Sequence, residues 1–211
     1  IQLRGYNSLT DVLSTQPGIA ASNAGGLGKT TSLRIRGEEG YRTLMMIDGV
    51  DISDPSGTQV GPRLESFIAS NDIEKVEILR GSQGFIYGAD AGGVINIFTK
   101  TGEGELGGSV GLEAGRYGTQ QIDASVSAGN DSGDFFIAVT DLESDGFNSR
   151  SSDNISPDVD GAENTTIHAK LGWNATEDLR IQLVVRDIDA EAEFDGCFGS
   201  APLFNSTNDC T

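Results

Sequence analysis

Apolar and polar residues alternate with a period of two through much of the second half of the chain. The alternation covers residues 105–114, 121–128, 165–173 and 179–186, and it is less regular in 134–144, where both alternating positions include apolar residues. Successive side chains of a β-strand point to opposite faces, so each stretch predicts a strand with one apolar and one polar face. Together they predict about five antiparallel strands.

The connections between these strands alternate in length. The turns at 130–133 and 174–178 are short, whereas the connections at 145–164 and from 189 onward are long. Outer-membrane barrels have short turns on the periplasmic side and long loops outside. A soluble β-sandwich also accommodates this alternation, so both architectures stay open. The longest apolar runs, such as 135–139, are far shorter than the roughly 20 residues of a membrane-spanning helix.

The first half of the chain mixes short helical and strand patterns. A helix is predicted from Leu9, after a Ser8 cap and before Pro17, and a second one over 62–70 with Pro62 in its first turn. Glycine-rich turns separate the predicted strands, which are 32–37, 43–49, 73–81 and 93–100. We interpret residues 1–104 as an α+β domain and residues 105–211 as the region of alternating strands.

Charge and the inventory of reactive side chains exclude several function classes. The chain has 32 acidic and 14 Lys and Arg residues, a formal net charge of −18, which argues against nucleic-acid binding. His168 is the only histidine, so a His-based catalytic triad or a zinc site has no histidine partner. No carboxylate pair stands out as catalytic, and we predict that the protein is not an enzyme.

The two cysteines, Cys197 and Cys210, bracket a polar loop. We predict that they form a disulfide, with two free thiols as the alternative. A disulfide implies a location outside the cytoplasm, and closing this loop would contribute about 3 kcal/mol by the chain-entropy estimate.

The stretch AGGLGKTT at 24–31 looks like a phosphate-binding loop, but its surroundings do not fit one. Such a loop follows a hydrophobic strand and opens a helix, whereas here small polar residues precede it and the strand-like SLRIRG follows. The glycine required five residues before Gly28 is replaced by Asn23. We therefore exclude ATP binding and interpret the stretch as a glycine-rich turn.

Four motifs in this half, taken together, resemble the plug domain of TonB-dependent outer-membrane receptors. They lie at 9–19, 23–37, 44–55 and 73–100, in the order and at the approximate spacing of that family. The cobalamin and siderophore receptors are the most similar branch. The resemblance implies an α+β plug domain followed by antiparallel β-strands of a transmembrane β-barrel that is incomplete in this chain.

The resemblance also implies a function. A receptor of this family in the bacterial outer membrane binds cobalamin or a ferric siderophore at its outer face and imports it with energy from the TonB protein, without a required cofactor. The segment that contacts TonB is expected before Ile1, and further barrel strands after Thr211. The sequence does not decide between the ligands. The rival interpretation is a soluble, calcium-dependent extracellular binding protein with a β-sandwich.

Candidate site residues follow from the resemblance. Two outer plug loops are expected to contact ligand, and their residues are Asn23, Gly25, Gly26, Leu27, Gly28, Lys29, Asp54, Pro55, Ser56, Gly57 and Thr58. Three charges resemble those that lock plug to barrel, namely Arg36, Glu77 and Arg80, although ordinary surface ion pairs are the alternative.

Acidic outer loops raise the prospect of calcium. Carboxylates gathered from two loops can supply the six to eight oxygens that calcium takes, and the candidates are Asp145, Asp158, Asp160, Asp187 and Asp195. Solvated loop charges are the alternative.

The β-sandwich and the receptor barrel differ in one testable respect. A sandwich packs the apolar strand faces against another sheet, whereas a receptor exposes them to outer-membrane lipid as one band, with Trp173 at its periplasmic margin.

Overall fold

The computed structural model describes residues 8–56, 61–64, 71–80, 86–87, 92–148 and 159–193. The elements of the first half are α1 (Leu9–Ser14), β1 (Ile19–Asn23), β2 (Thr31–Ile35), a 3-10 turn (Gly40–Arg42), β3 (Thr43–Ile47), β4 (Val50–Asp51), β5 (Ser53–Asp54), β6 (Gly61–Pro62), β7 (Ile73–Arg80) and β8 (Gly93–Thr99). Those of the second half are β9 (Gly107–Ala114), β10 (Gln120–Asn130), β11 (Gly133–Phe147), β12 (Asp160–Asn174) and β13 (Arg180–Ala192).

The first half, called the plug below, has its own apolar core. Helix α1 begins where the Ser8 hydroxyl accepts a hydrogen bond from the Asp11 amide at 3.1 Å, and it buries Leu9 and Leu13. Strands β4, β3, β8 and β7 form a mixed sheet in that order, with β3 and β8 parallel. The residues of the core cluster are Leu9, Leu13, Ile19, Leu33, Ile35, Met45, Ile47, Leu64, Ile73, Ile95 and Ile97.

The plug differs from the sequence pattern at two places. The small polar residues before the glycine-rich turn form strand β1, which pairs antiparallel with β2 from Ile19 opposite Ile35 to Asn23 opposite Thr31. Pro62 lies in the short strand β6 opposite Ser53, so it is not in the first turn of a helix. Residues 65–70 of that predicted helix lie outside the described residues. No helix among the described residues is long and apolar enough to cross a membrane.

The second half forms one antiparallel sheet, called the wall below, in the sequential order β13-β12-β11-β10-β9. The predicted alternation is confirmed, because along β12 every second residue from Ala162 to Lys170 is buried against the plug. The large apolar residues of the opposite face are exposed, and they include Val110, Leu112, Ile122, Val126, Ile137, Val139, Ile167, Leu171, Trp173, Ile181, Leu183 and Val185.

This exposed apolar face does not support the β-sandwich interpretation, in which a second sheet would cover it. Ile137, Val139 and Ile167 are each between 42% and 48% exposed, within the part of the chain that the structure describes. Trp173 is 59% exposed and lies next to the short turns, opposite Gly133 in the ladder. The division of the chain at residues 104 and 105 stays a prediction, and it falls between the last plug strand and β9.

Candidate ligand cavity and plug–wall contact

A cavity of about 490 Å³ lies between plug and wall at the end of the wall that carries the long connections. From the plug it is lined by the start of α1, by Leu64 and by six residues of the segment 23–31, which is called the glycine loop below. From the wall it is lined by the β9–β10 turn and by the neighbouring ends of β11 and β12. Among the residues predicted to contact ligand, Asn23, Gly25, Gly26, Leu27 and Gly28 line this cavity.

The side chain of Asn23 organises the glycine loop. Its Oδ1 atom accepts hydrogen bonds from the amides of Gly25 and Gly26 at 2.8 and 2.7 Å. Its Nδ2 group donates to the Gly26 carbonyl and to the Thr31 hydroxyl, each at 2.9 Å. Gly25, Gly26 and Gly28 have φ angles of 127°, 141° and 70°, a backbone region that side-chain-bearing residues rarely adopt. The glycines are therefore required by the backbone path of the loop.

Two aromatic rings of the wall face the glycine loop. Tyr117 and Phe147 pack with ring centroids 4.9 Å apart, and both line the cavity. A Cβ atom placed on Gly26 would lie 3.4 Å from the Phe147 ring, so the loop backbone is in close contact with the aromatic pair. Arg116, which is exposed, adds a cation to the same rim. The cavity thus offers a glycine-rich backbone, an aromatic surface and charged side chains of both signs, such as Arg116 and Asp11, to a ligand.

Lys29 does not present its charge to the cavity, which corrects its predicted role as a ligand contact. The side chain is only 4% exposed, and its ammonium group donates hydrogen bonds to the carbonyl oxygens of Gly161, at 3.3 Å, and of Glu193. Both acceptors belong to the wall. Lys29 therefore lies in the contact between plug and wall, because the chain turns toward the wall as it leaves the glycine loop.

The second loop predicted to contact ligand forms a tight turn, and its described residues do not line this cavity. Asp54 accepts hydrogen bonds from the amide and hydroxyl of Ser56 at 2.8 and 2.7 Å, and it pairs with Arg63 at 2.6 Å. These hydrogen bonds from Ser56, together with Arg63, lower the pKa of Asp54 below its ordinary value. Pro55 occupies the same turn, whereas the predicted contacts Gly57 and Thr58 lie outside the described residues.

The predicted locking charges are not the ones that pair with the wall in the described structure. Arg36 is exposed directly after β2, at a φ of 56°. Glu77 pairs with Lys75 within its own strand at 2.7 Å. The Arg80 Nε atom is buried without a hydrogen-bond partner among the described residues. The ion pairs seen between plug and wall involve other residues.

The first of these pairs joins Asp48 to Lys170. The Lys170 ammonium donates to Asp48 Oδ1 at 2.8 Å and to the carbonyl oxygen of Thr99 at 3.0 Å, and both charged side chains are under 8% exposed. The Thr99 amide and hydroxyl also donate to the Asp48 carboxylate. Burial alone would raise the pKa of Asp48, but the hydrogen bonds from Lys170 and Thr99 hold the pKa below its ordinary value.

The second pair joins Asp72 of the plug to Arg186 of the wall. His168 lies opposite Arg186 in the β12–β13 ladder, and its Nδ1 atom is 3.8 Å from Asp72 Oδ2. Neither ring nitrogen of His168 has a hydrogen-bond partner among the described residues. The sequence gives only a weak indication of these contacts. Asp48 is already accounted for as a turn residue, because with Gly49 it forms the Asp-Gly hairpin turn between β3 and β4.

The predicted calcium ligands are only partly described. Asp160 is buried on the plug side of the wall, whereas Asp187 is exposed on the opposite face, opposite Ile167 in the ladder. These two carboxylates therefore do not converge. Asp145 is exposed near the β9–β10 turn, and Asp158 and Asp195 lie outside the described residues. No group of three or more metal-ligating side chains occurs among the described residues, and calcium binding stays a prediction.

The predicted disulfide also stays untested, because Cys197 and Cys210 both lie outside the described residues.

Comparison with known proteins identifies the fold and its family. Residues 1–95 match the family model of the TonB-dependent receptor plug domain. The chain is 33% identical over 195 residues to the vitamin B12 transporter BtuB of Photobacterium profundum, covering 92% of this chain and 31% of that protein. It is 28% identical over 227 residues to an iron-regulated outer membrane virulence protein of Vibrio cholerae, covering 95% of this chain and 32% of that protein. The chain thus spans about a third of the length of these relatives.

Solved structures agree with the sequence relatives. The siderophore receptor PirA from Acinetobacter baumannii matches with a TM-score of 0.72 at 22% identity, over 91% of this chain and 30% of the receptor. The copper transporter OprC matches with a TM-score of 0.70 at 25% identity, over 91% of this chain and 29% of the transporter. The chain therefore belongs to the TonB-dependent receptors, and it comprises a plug domain followed by antiparallel strands of the receptor barrel.

Proposed function

We propose that this chain is the plug and adjoining barrel portion of an outer-membrane importer for a scarce, bulky nutrient of the cobalamin or ferric siderophore class. The cavity between the glycine loop and the Tyr117–Phe147 pair carries this proposal. It opens at the end of the wall with the long connections, where a ligand arriving from outside would first meet the plug.

The charged contact between plug and wall supports an energy-dependent step. The plug covers the polar face of the wall, so a bulky ligand passes only if the plug rearranges or leaves. Buried pairs such as Asp48–Lys170 are costly to separate, because breaking them leaves desolvated charges without partners. An external source of work is therefore expected, and the TonB protein acting on the plug would supply it.

The relatives support cobalamin as the first ligand to test. The Photobacterium relative is named as a vitamin B12 transporter, whereas the structural neighbours include a siderophore receptor and a copper transporter. The lining of the cavity combines backbone groups, two aromatic rings and charges of both signs, which suits a large ligand with many hydrogen-bonding groups.

Uptake in whole cells tests this proposal. The complete gene product would be expressed in a bacterium that lacks its own cobalamin and siderophore receptors, and labelled cobalamin, labelled ferric siderophores and copper would be offered in turn. We expect uptake of one organic ligand in cells with TonB and none in an otherwise identical strain without it. Uptake that persists without TonB, or the absence of uptake for every ligand, would contradict the proposal.

A further inference from the structure

We propose that Lys29 is a positioning residue that ties the glycine loop to the wall and so sets the shape of the ligand cavity. The role in ligand binding rests on the proposed function, whereas the tie itself rests only on the geometry of the described residues. The residue comes directly after Gly28, the last glycine of the loop that lines the cavity.

The contacts of Lys29 join parts of the chain that are far apart in sequence. Its ammonium group donates to the carbonyl oxygens of Gly161 and Glu193, which are 132 and 164 residues away. Gly161 is the second residue of β12, and Glu193 directly follows β13. The amide of Glu193 donates to the same Gly161 carbonyl at 3.1 Å, and the Gly161 amide donates to Glu193 Oε2 at 3.1 Å. Lys29 thus reaches the point where two wall strands end together.

Burial makes these contacts necessary. A lysine that is 4% exposed has lost most of its hydration, so its charge has to be satisfied by protein acceptors. Hydrogen bonds from an ionised donor are shorter and roughly twice as strong as neutral ones. Carbonyl oxygens at the ends of two paired strands are suitable acceptors, because the sheet holds them in place.

The glycine loop needs such an anchor. Three glycines at positive φ give it a backbone that loses much conformational freedom on ordering. Its internal hydrogen bonds come mainly from the Asn23 side chain, together with the bond from the Ala24 amide to the Thr30 carbonyl and the bond from the Thr31 hydroxyl to the Lys29 carbonyl. The tie from Lys29 transfers the rigidity of β12 and β13 to the loop. It keeps Gly26 against Phe147 and thereby keeps the cavity open in one shape.

Hydrogen exchange of residues 23–31 in the complete receptor tests the tie without any ligand. We expect Lys29→Met to raise the exchange rate of these amides about tenfold, because charge-assisted hydrogen bonds are worth more than neutral ones. Lys29→Arg keeps a cationic donor and is expected to stay close to the wild type. Lys75→Met is the matched control, because Lys75 is a surface lysine of the plug paired with Glu77. It should leave the loop unchanged.

Two results would overturn the inference. One is an exchange rate in Lys29→Met equal to that of the wild type. The other is an equal increase in Lys29→Met and Lys29→Arg, which would assign the effect to packing instead of to the cation.

Binding of cyanocobalamin and of a ferric siderophore to the same variants tests the consequence for the cavity. If the wild type binds either probe, Lys29→Met should weaken its affinity about tenfold, equivalent to about 1.4 kcal/mol, and Lys29→Arg should restore it. An unchanged affinity in Lys29→Met would contradict the role in shaping the cavity. If the wild type binds neither probe, the proposed ligand class is wrong, and the exchange measurement still decides the role of Lys29.

Discussion

The plug and the wall bury different mixtures of residues. The plug surrounds a core of aliphatic side chains, of which Leu9, Met45 and Ile95 are completely buried. The wall instead buries many polar side chains on β12, including Asn164 and His168, and it leaves most of its large aliphatic residues exposed, although Phe136 and Leu142 are buried. Water can solvate the polar face of such a sheet, whereas the continuous apolar face needs an apolar partner or lipid.

The difference shows that the plug and the plug–wall contact are held together in different ways. The aliphatic core gives the plug a fold of its own, held by the hydrophobic effect. Many of the wall groups that contact the plug are polar, and hydrogen bonds and ion pairs such as Asp48–Lys170 join the two regions, beside a few apolar contacts such as that of Ile188. A contact of this type is specific, and under the proposed function it is the contact that would have to separate, at a cost, when the plug moves. The apolar outer face suits lipid, as in other transmembrane barrels.

The largest effect is expected from breaking a buried ion pair between the two regions. Lys170→Met leaves the Asp48 carboxylate buried without its cation, which we expect to cost about 3–5 kcal/mol. Urea unfolding of the complete receptor in detergent micelles measures this change. The double variant Lys170→Met, Asp48→Asn should recover most of the loss. A double variant as unstable as the single one would show that the pair is not the cause.

The aliphatic core of the plug should be almost as sensitive. Ile95→Ala removes three carbons from a completely buried position and should destabilise the plug by about 2–5 kcal/mol, measured by hydrogen exchange of core amides. Ile167→Ala is the matched control on the outer face of the wall, where the side chain is 48% exposed. Equal losses at the two positions would contradict the contrast between plug and wall.

A charge on the outer face of the wall tests the lipid contact. Leu183→Arg should cost about 2–4 kcal/mol in a lipid bilayer if the residue lies near the middle of the membrane. Gln182→Arg, on the opposite face, is the control and should be tolerated. Folding yield in lipid vesicles compares the two variants. Equal yields would argue that the apolar face does not meet lipid.

The smallest expected effect is the dependence of the plug–wall contact on pH. The pKa of Asp48 lies below its ordinary value of 3.8, so its carboxylate stabilises the folded state at neutral pH. That contribution is fully present above the ordinary value and is lost as pH falls through the lower, folded-state pKa. Urea midpoints measured from neutral to acidic pH should therefore fall in the acidic range, and they should fall less in Asp48→Asn. An identical pH dependence in both proteins would exclude Asp48 as the source.

Several features of the site were predictable because they are encoded locally. The glycine loop was recognisable from its glycines and from the strand pattern after it, and six of its residues line the cavity. The charges that join plug and wall were not recognisable. Asp48 and Lys170 are 122 residues apart, and Asp72 and Arg186 are 114 apart, so no local pattern links them. The prediction that Lys29 contacts ligand fails for the same reason. Its acceptors are backbone carbonyl oxygens at the ends of distant strands, which the sequence around Lys29 does not indicate.

The sequence alone determined which residues of the wall share a face, because the alternation of side chains along a strand is a property of each strand by itself. It also determined the turn chemistry of the glycine loop, where the backbone admits almost only glycine. Tertiary structure alone decided what each face meets. The ladder register places His168 beside Arg186, and the seating of the plug brings Asp72 to both. Partners of this kind depend on how two separately formed units pack, which no single segment specifies.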